Sequence, residues 1–427
     1  MKKVKDGLNL QLAASQTGVD QLNKEFYGRF NYPWPPMTFQ AYTDPSFWPC
    51  FLNQDIGHWR DCRVPDNPKI WVGGCGTNQS VITALKFPQA HVLGTDISLP
   101  SLETSEDSAL QLGVENLELE EKSLNNAAYE KEFDFVICTG VIHHNAEPVV
   151  PLKRLAAALK PGGVMELMVY NFYHMLLQGA FQTAIRGLCG DGASMSMEDE
   201  LKTTRELIRS FPERNLMADF LTQFANAYES DLADNLLQPV MHSYTIETFV
   251  EMLDEAGLEM LMPCVNQFDR TDNRLSWNLS FGDSDLQQRY ESMDDQKRWQ
   301  LSNLLMFERS PMLWFYVQRK DSPFPRKSEQ QVCREFLETR FEKKTTPVRL
   351  FSRNEQGDYA EQSQGQVFPG ALSSHDHLAK LVYNQVVPTK TMAEIFAELS
   401  VEPTFQNINR VRVNLTTSTF PYLAAVK

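Results

Sequence analysis

Gly74-Cys75-Gly76-Thr77 follows an apolar run, Lys69-Ile70-Trp71-Val72, and precedes a helical pattern with Val81, Ile82 and Leu85. A strand feeding a glycine turn feeding a helix is a cradle for a nucleotide-like ligand. Glycine lets the backbone turn sharply and approach the ligand, and the helix start offers unpaired N–H groups. Past Gly76, a second run from Ala90 to Thr95 ends in Asp96, where a carboxylate can accept both hydroxyls of a ribose. Further on, His143 and His144 follow the run Phe133 to Cys138. Histidine titrates near neutrality and can take a proton from a reacting group, so this pair holds the general-base candidates. Tyr170 and Asn171 end the run Val164 to Val169, and His242 and Tyr244 precede a later helix. With Tyr27 and Trp34 of an aromatic N-terminal stretch, these four are the candidate contacts for a second substrate. His375-Asp376-His377 lacks further ligands nearby, so it reads as an exposed loop and no metal site is expected.

The elements that must position these residues alternate between strand and helix. A helix begins near Ser98 and Pro100 and stops at Gly113; a third strand spans Asn116 to Glu120. The fourth strand, Phe133 to Cys138, leads to a helix with Leu152, Leu155, Ala156 and Leu159. The turn Leu159-Lys160-Pro161-Gly162-Gly163 then opens the fifth strand. Thr245 is placed to cap a helix from Ile246 to Ala256 that Gly257 stops. The sixth and seventh strands are Leu258 to Val265 and Met312 to Val317. Such alternation predicts an α/β fold whose ligands lie outside the carboxyl ends of the strands.

The dinucleotide fingerprint would need a third glycine at position 79, where Gln79 stands. The string Gly74-Cys75-Gly76-Thr77 instead resembles the first motif of the class I S-adenosylmethionine (SAM)-dependent methyltransferases. Phe133-Asp134-Phe135-Val136, Gly140-Val141-Ile142-His143-His144 and Leu159-Lys160-Pro161-Gly162-Gly163 are similar to later motifs of that family. The resemblance covers about Lys69 to Lys320. It implies a Rossmann-like, seven-stranded, mostly parallel sheet, SAM as cofactor, and methyl transfer by in-line displacement. It places Gly74, Gly76 and Thr77 beside the methionine moiety and ribose, and Asp96 on the ribose hydroxyls. Ile97 and Leu124 would lie on the two faces of adenine, with Thr139 and Gly140 under the sulfonium. The chain departs from the family where Val72 or Gly73 replaces an acidic residue and where Asn78 replaces the last glycine. After the third strand no acid is evident, only Lys122 and Ser123.

Length and composition bound the rest. A chain of 427 residues is expected to hold two or three compact units. We expect an aromatic N-terminal lid or strap over 1–68 and a methyltransferase core over 69–320. Within the core, a helical cap insertion spans 172–243 and a second insertion spans 266–310. A small accessory C-terminal domain, helical or winged-helix-like, covers 321–427, with a strand at Val411 to Leu415 and a polar loop from Arg353 to Gln366. The net charge of −15 disfavours a nucleic-acid backbone as partner. No apolar run reaches the ~18 residues of a membrane span. The basic start, Met1 to Lys5, lacks the apolar region of a signal peptide. Seven scattered cysteines fit reduced thiols in a cytoplasmic protein, with Cys75 and Cys138 as small packing residues. The expected activity is methylation of an N or O nucleophile on a small metabolite or natural-product intermediate. The alternatives are a peptide or protein acceptor, and a non-catalytic SAM-binding scaffold; a homodimer is compatible with all three.

Overall fold

The computed structural model describes residues 16–30, 33–189, 196–212, 214–265, 277–362 and 365–426. The basic start, Asn31 and Tyr32 of the aromatic stretch, and 266–276 of the second insertion lie outside the described residues.

Thirteen strands are formed among the described residues. They are β1 (Thr38–Tyr42), β2 (Lys69–Gly73), β3 (His91–Asp96), β4 (Leu117–Glu121), β5 (Phe133–Thr139), β6 (Leu159–Val169), β7 (Leu258–Pro263) and β8 (Leu313–Arg319). Beyond these come β9 (Phe341–Lys343), β10 (Thr346–Arg353), β11 (Tyr359–Glu361), β12 (Gln366–Phe368) and β13 (Leu423–Ala425). The main sheet has seven strands in the order β4-β3-β2-β5-β6-β8-β7. Only β8 runs against its neighbours β6 and β7. From β2 the chain steps outward to β3 and β4, then returns to β5 and steps the other way. The switch point between β2 and β5 is where an open α/β sheet leaves a crevice for ligand.

Alternation along the strands supplies a core on each face. Trp71, Val136 and Leu167 pack on one side with the helices Val149–Ala158 and Ile246–Glu255. Ile70, Val72, Phe135 and Ile137 pack on the other with the N-terminal helix Phe47–Asp55. The helix boundaries follow the sequence signals closely. The Ser98 hydroxyl accepts the Ser101 N–H, Gly113 ends that helix at φ +66°, and Thr245 forms a capping box.

Two segments cover the carboxyl ends of the strands. The N-terminal helix Gln16–Arg29 lies over the β4 and β5 ends, where Lys24 pairs with Glu121, Asp20 accepts from Ser123 and Asn23 donates to the His144 carbonyl. The insertion after β6 forms the helices Leu176–Cys189, Met197–Ser210, Leu216–Thr222 and Glu229–Leu236. The two share one core: Phe26 and Phe30 of the first pack with Phe181, Ile185, Leu232 and Leu236 of the second.

The N-terminal and C-terminal stretches do not sit apart. β1 pairs antiparallel with β10, from Thr38 opposite Ser352 to Tyr42 opposite Val348. Gln54 donates to the carbonyls of Thr416 and Leu423 and accepts the Ala425 N–H. The C-terminal stretch carries both helices and short strands. Val411 to Leu415, expected as a strand, lies inside the helix Phe405–Thr416, because Thr404 caps it and Ile408, Val411 and Leu415 form its buried face. The polar segment from 353 carries β11, which pairs with β10.

Candidate active site

A cavity of about 1030 Å³ opens at the switch point and runs beneath the N-terminal helix and along one face of the sheet. Its cofactor end is built by the turn after β2. Gly74 and Gly76 hold φ of +70° and +55°, which side chains rarely adopt. A Cβ on Gly74 would come within 2.4 Å of Val141. The N–H groups of Gly74 and Cys75 both donate to the Thr95 carbonyl, at 2.8 and 3.0 Å, which ties the turn to β3. The Asp96 carboxylate closes the loop, accepting the Gly76 N–H and the Ser98 N–H, each at 2.8 Å. Burial pushes its carboxyl up, and the N–H bonds from Ser98, Gly76 and Ile97 pull it back. Each oxygen still has a lone pair for a ligand hydroxyl. Gly74, Gly76, Asp96, Ile97, Leu124, Thr139 and Gly140 all line the cavity.

Thr77 does not. Its hydroxyl turns away and donates to the Pro33 carbonyl, so it fastens the N-terminal segment to the turn. Asn78 does the same through the Trp34 carbonyl, and the Trp34 ring lies outside, half exposed against Tyr228.

The acceptor candidates divide in the same way. Tyr27, Tyr170 and His144 reach the cavity wall. His144 Nδ1 lies 2.8 Å from the Val240 carbonyl, and burial lowers its pKa to about 4. His143 is fully buried beside Tyr170, with ring centroids 3.8 Å apart, and does not line the cavity. Burial, then His144 and His242, hold it well below the usual histidine range, so it stays neutral. Asn171 has no exposure and spends its side chain on bonds to Pro311, Tyr173 and Asn303. His242 donates its N–H to the His143 carbonyl, and the Tyr244 backbone bridges Tyr170 and Phe172. Neither side chain lines the cavity. These four residues brace the wall from behind. Burial pushes the Cys75 thiol up, and the Cys138 thiol up to about 12, so both remain protonated packing groups. Asp376 caps the helix His377–Gln385 and pairs with Arg410.

Two carboxylates on the wall carry no motif. Asp20, on the N-terminal helix, accepts the Ser123 hydroxyl at 2.6 Å and the Asn125 amide at 3.1 Å. It therefore delivers an acid beside Leu124, after β4, where the chain's own sequence has only Lys122 and Ser123. Asp234, on the cap helix Glu229–Leu236, has its pKa raised to about 7, chiefly by burial. Gln238 joins it to the Tyr170 hydroxyl, with bonds of 3.4 and 3.1 Å. Tyr27 is partly buried in the same cluster; burial of its hydroxyl, then Asp234, Tyr170 and Asp96, push its phenol up.

Comparisons with known proteins bear on the domain and the fold. Residues 73–165, from the glycine turn to β6, match the family described as a methyltransferase domain. The structure of PKMT2 from Rickettsia typhi in complex with AdoHcy superposes with a TM-score of 0.54 over 88% of this chain and 73% of that one, at 12% identity. An uncharacterised protein of Synechococcus is 28% identical over 302 residues, 69% of this chain and 70% of its own. The tRNA U34 carboxymethyltransferase of Campylobacter curvus is 36% identical over 89 residues, 21% of this chain and 24% of its own. The chain thus spans about a quarter of that relative's length. Residues 73–165 thus carry a methyltransferase domain, and the sheet order and the superposition show the Rossmann-like fold in which it sits. No helix among the described residues is long and apolar enough to cross a membrane.

Proposed function

We propose that the chain methylates an N or O nucleophile of a small molecule, with the cofactor gripped at the β2–β3 end and the acceptor enclosed beneath the N-terminal helix and the cap. The observation that carries this reading is the gathering of Tyr27, Tyr170, His144 and Asp234 on one cavity wall, beneath two covering segments that share a core. An enclosed site of this kind admits a small acceptor more readily than a folded macromolecule.

Bound SAM supplies an activated methyl on a positively charged sulfur. Asp96 accepts its ribose hydroxyls, Ile97 and Leu124 pack on adenine, and Asp20 accepts the adenine amine. The covering helices exclude water, and Tyr27 and Tyr170 orient the acceptor lone pair; alignment of this kind can supply roughly 7–11 kcal/mol of the barrier. Asp234, with a pKa of about 7, is placed to take the proton the acceptor loses. His144, lowered to about 4 and tied to Val240, holds the wall rather than the proton.

Calorimetry with SAM, followed by radiolabelled methyl transfer into the small-molecule and macromolecular fractions of an extract, tests the reading. Label in the small-molecule fraction is expected. Label confined to the macromolecular fraction favours a peptide or protein acceptor, and binding without transfer to either leaves a scaffold.

A further inference from the structure

The cavity does not end at the cofactor. On β5 and β6 the residues of one face pair in register, Thr139 with Met168 and Ile137 with Glu166. Thr139 and Met168 stand at the strand ends beside the turn. Ile137 and Glu166 lie two residues deeper, about 7 Å at the rise of a strand. All four line the cavity, so it continues as a rear chamber along the face of the sheet. One side of the helix Gln79–Lys86 roofs it, with Ile82, Thr83 and Lys86 a helical turn apart on the wall.

The chamber is aromatic and carries two opposite charges at its deep end. Tyr42, Trp48 and Phe368 pack edge-on around one another, with ring centroids 5.0 to 5.8 Å apart. Glu166 Oε1 accepts the Trp314 indole N–H at 2.9 Å, and Oε2 has no hydrogen-bond partner among the described residues. Lys86 Nζ lies 4.6 Å from the Trp48 ring centroid and makes no hydrogen bond or ion pair among the described residues. The two charges attract each other without touching, and burial drives both toward neutrality. An ammonium and a carboxylate facing an aromatic chamber are costly unless something pairs with them. A molecule with a carboxylate for Lys86 and an ammonium for Glu166 would replace one long attraction with two short, charge-assisted bonds.

We infer that the rear chamber extends the acceptor site inward from the Tyr27–Tyr170–Asp234 wall, and that the acceptor is an aromatic α-amino acid or similar zwitterion whose charged end reaches into it. The charged end lies between Lys86 and Glu166, the ring stacks among Tyr42, Trp48 and Phe368, and the nucleophilic oxygen or nitrogen at the far end of the ring reaches Thr139 and Met168. The inference rests on the methyltransferase reading above and supplies its acceptor class. The length fits, since about 7 Å separates the two ends of the path and a para-substituted ring spans a similar distance.

The test is calorimetry on the full-length chain, with L-tyrosine and 4-amino-L-phenylalanine titrated into protein saturated with AdoHcy. Binding of at least one is expected. Lys86→Met and Glu166→Gln should each weaken it at least tenfold while AdoHcy affinity stays unchanged. 4-Hydroxyphenylacetate, which lacks the ammonium, should bind more weakly and be indifferent to Glu166→Gln. A wild-type crystal soaked with L-tyrosine keeps the test independent of any variant's folding, and density in the chamber is expected. Absence of binding by both amino acids, binding unaffected by Lys86→Met, or density elsewhere overturns the inference. AdoHcy affinity measured in the same protein separates the two levels. AdoHcy binding without amino-acid binding sinks only the chamber, whereas no AdoHcy binding sinks the methyltransferase reading.

Discussion

The two ends of the cavity are made in different ways. The cofactor end comes from short contiguous segments: a turn with two positive φ angles, a carboxylate at the end of the next strand, and the mouth of β5. Its geometry is backbone geometry, and neighbours in sequence impose it. The end proposed for the acceptor is assembled from residues far apart in the chain. Tyr27 comes from the N-terminal helix, Asp234 from the cap, Lys86 from the helix after the turn and Phe368 from the C-terminal stretch. A binding site for a common ligand can be a local motif, whereas a site for a particular acceptor is a tertiary product.

If that contrast is right, the largest single effect should come from the turn itself. Gly74→Val forces a branched side chain into φ +70° and against Val141, at a cost of about 3 kcal/mol or more. AdoHcy affinity should fall by at least about a hundredfold in calorimetry, and a variant that binds normally would break the claim that backbone shape makes this end.

Asp234→Asn probes the opposite end. Turnover should drop by about a hundredfold, the usual scale of general-base loss, with AdoHcy affinity little changed. The sign of the pH dependence follows from the raised pKa: the carboxyl is a base only when deprotonated, so wild-type turnover should rise with pH through about 7. The variant's pH–rate profile should lose that inflection, and an unchanged profile would remove Asp234 from proton transfer.

Asp96→Ala should weaken AdoHcy binding by about 1–3 kcal/mol, since it loses ribose bonds and leaves the Gly76 and Ser98 N–H groups unpaired. Asp20→Ala should cost about 1 kcal/mol, read as a few-fold rise in the AdoHcy dissociation constant. That smallest effect sharpens the contrast most, because Asp20 is a tertiary loan to the otherwise local end. Unchanged affinity would confine the adenine site to β3 and β4.

Legibility in the sequence followed the same division. The strands from Lys69 to Val169 and the stops at Gly113 and Gly257 were readable, because periodicity and capping act within a few residues. Asp96 was readable from its interval past the glycine turn. His143 looked like the stronger base by its place after β5, yet the structure buries it behind Tyr170 and leaves His144 on the wall. Which of two adjacent side chains faces a cavity depends on the twist of one short helical turn, Ile142–His144. The misread strand at Val411 to Leu415 has a related origin: Val411, Val413 and Leu415 alternate as in a strand, but the Thr404 cap and packing against the helices Glu329–Glu338 and His377–Gln385 favour a helix.

By itself, the sequence determined the doubly wound sheet, the turn after its first parallel strand and the carboxylate after its second. Those features depend on local φ, on capping and on alternation, and these act between near neighbours. Tertiary structure alone decided that Asp20 and Asp234 would meet the cavity, that Thr77 would face the strap, and that β1 would pair with β10. Such contacts join residues from 44 to more than 300 positions apart, and only the packed chain selects them from the many partners each could have had.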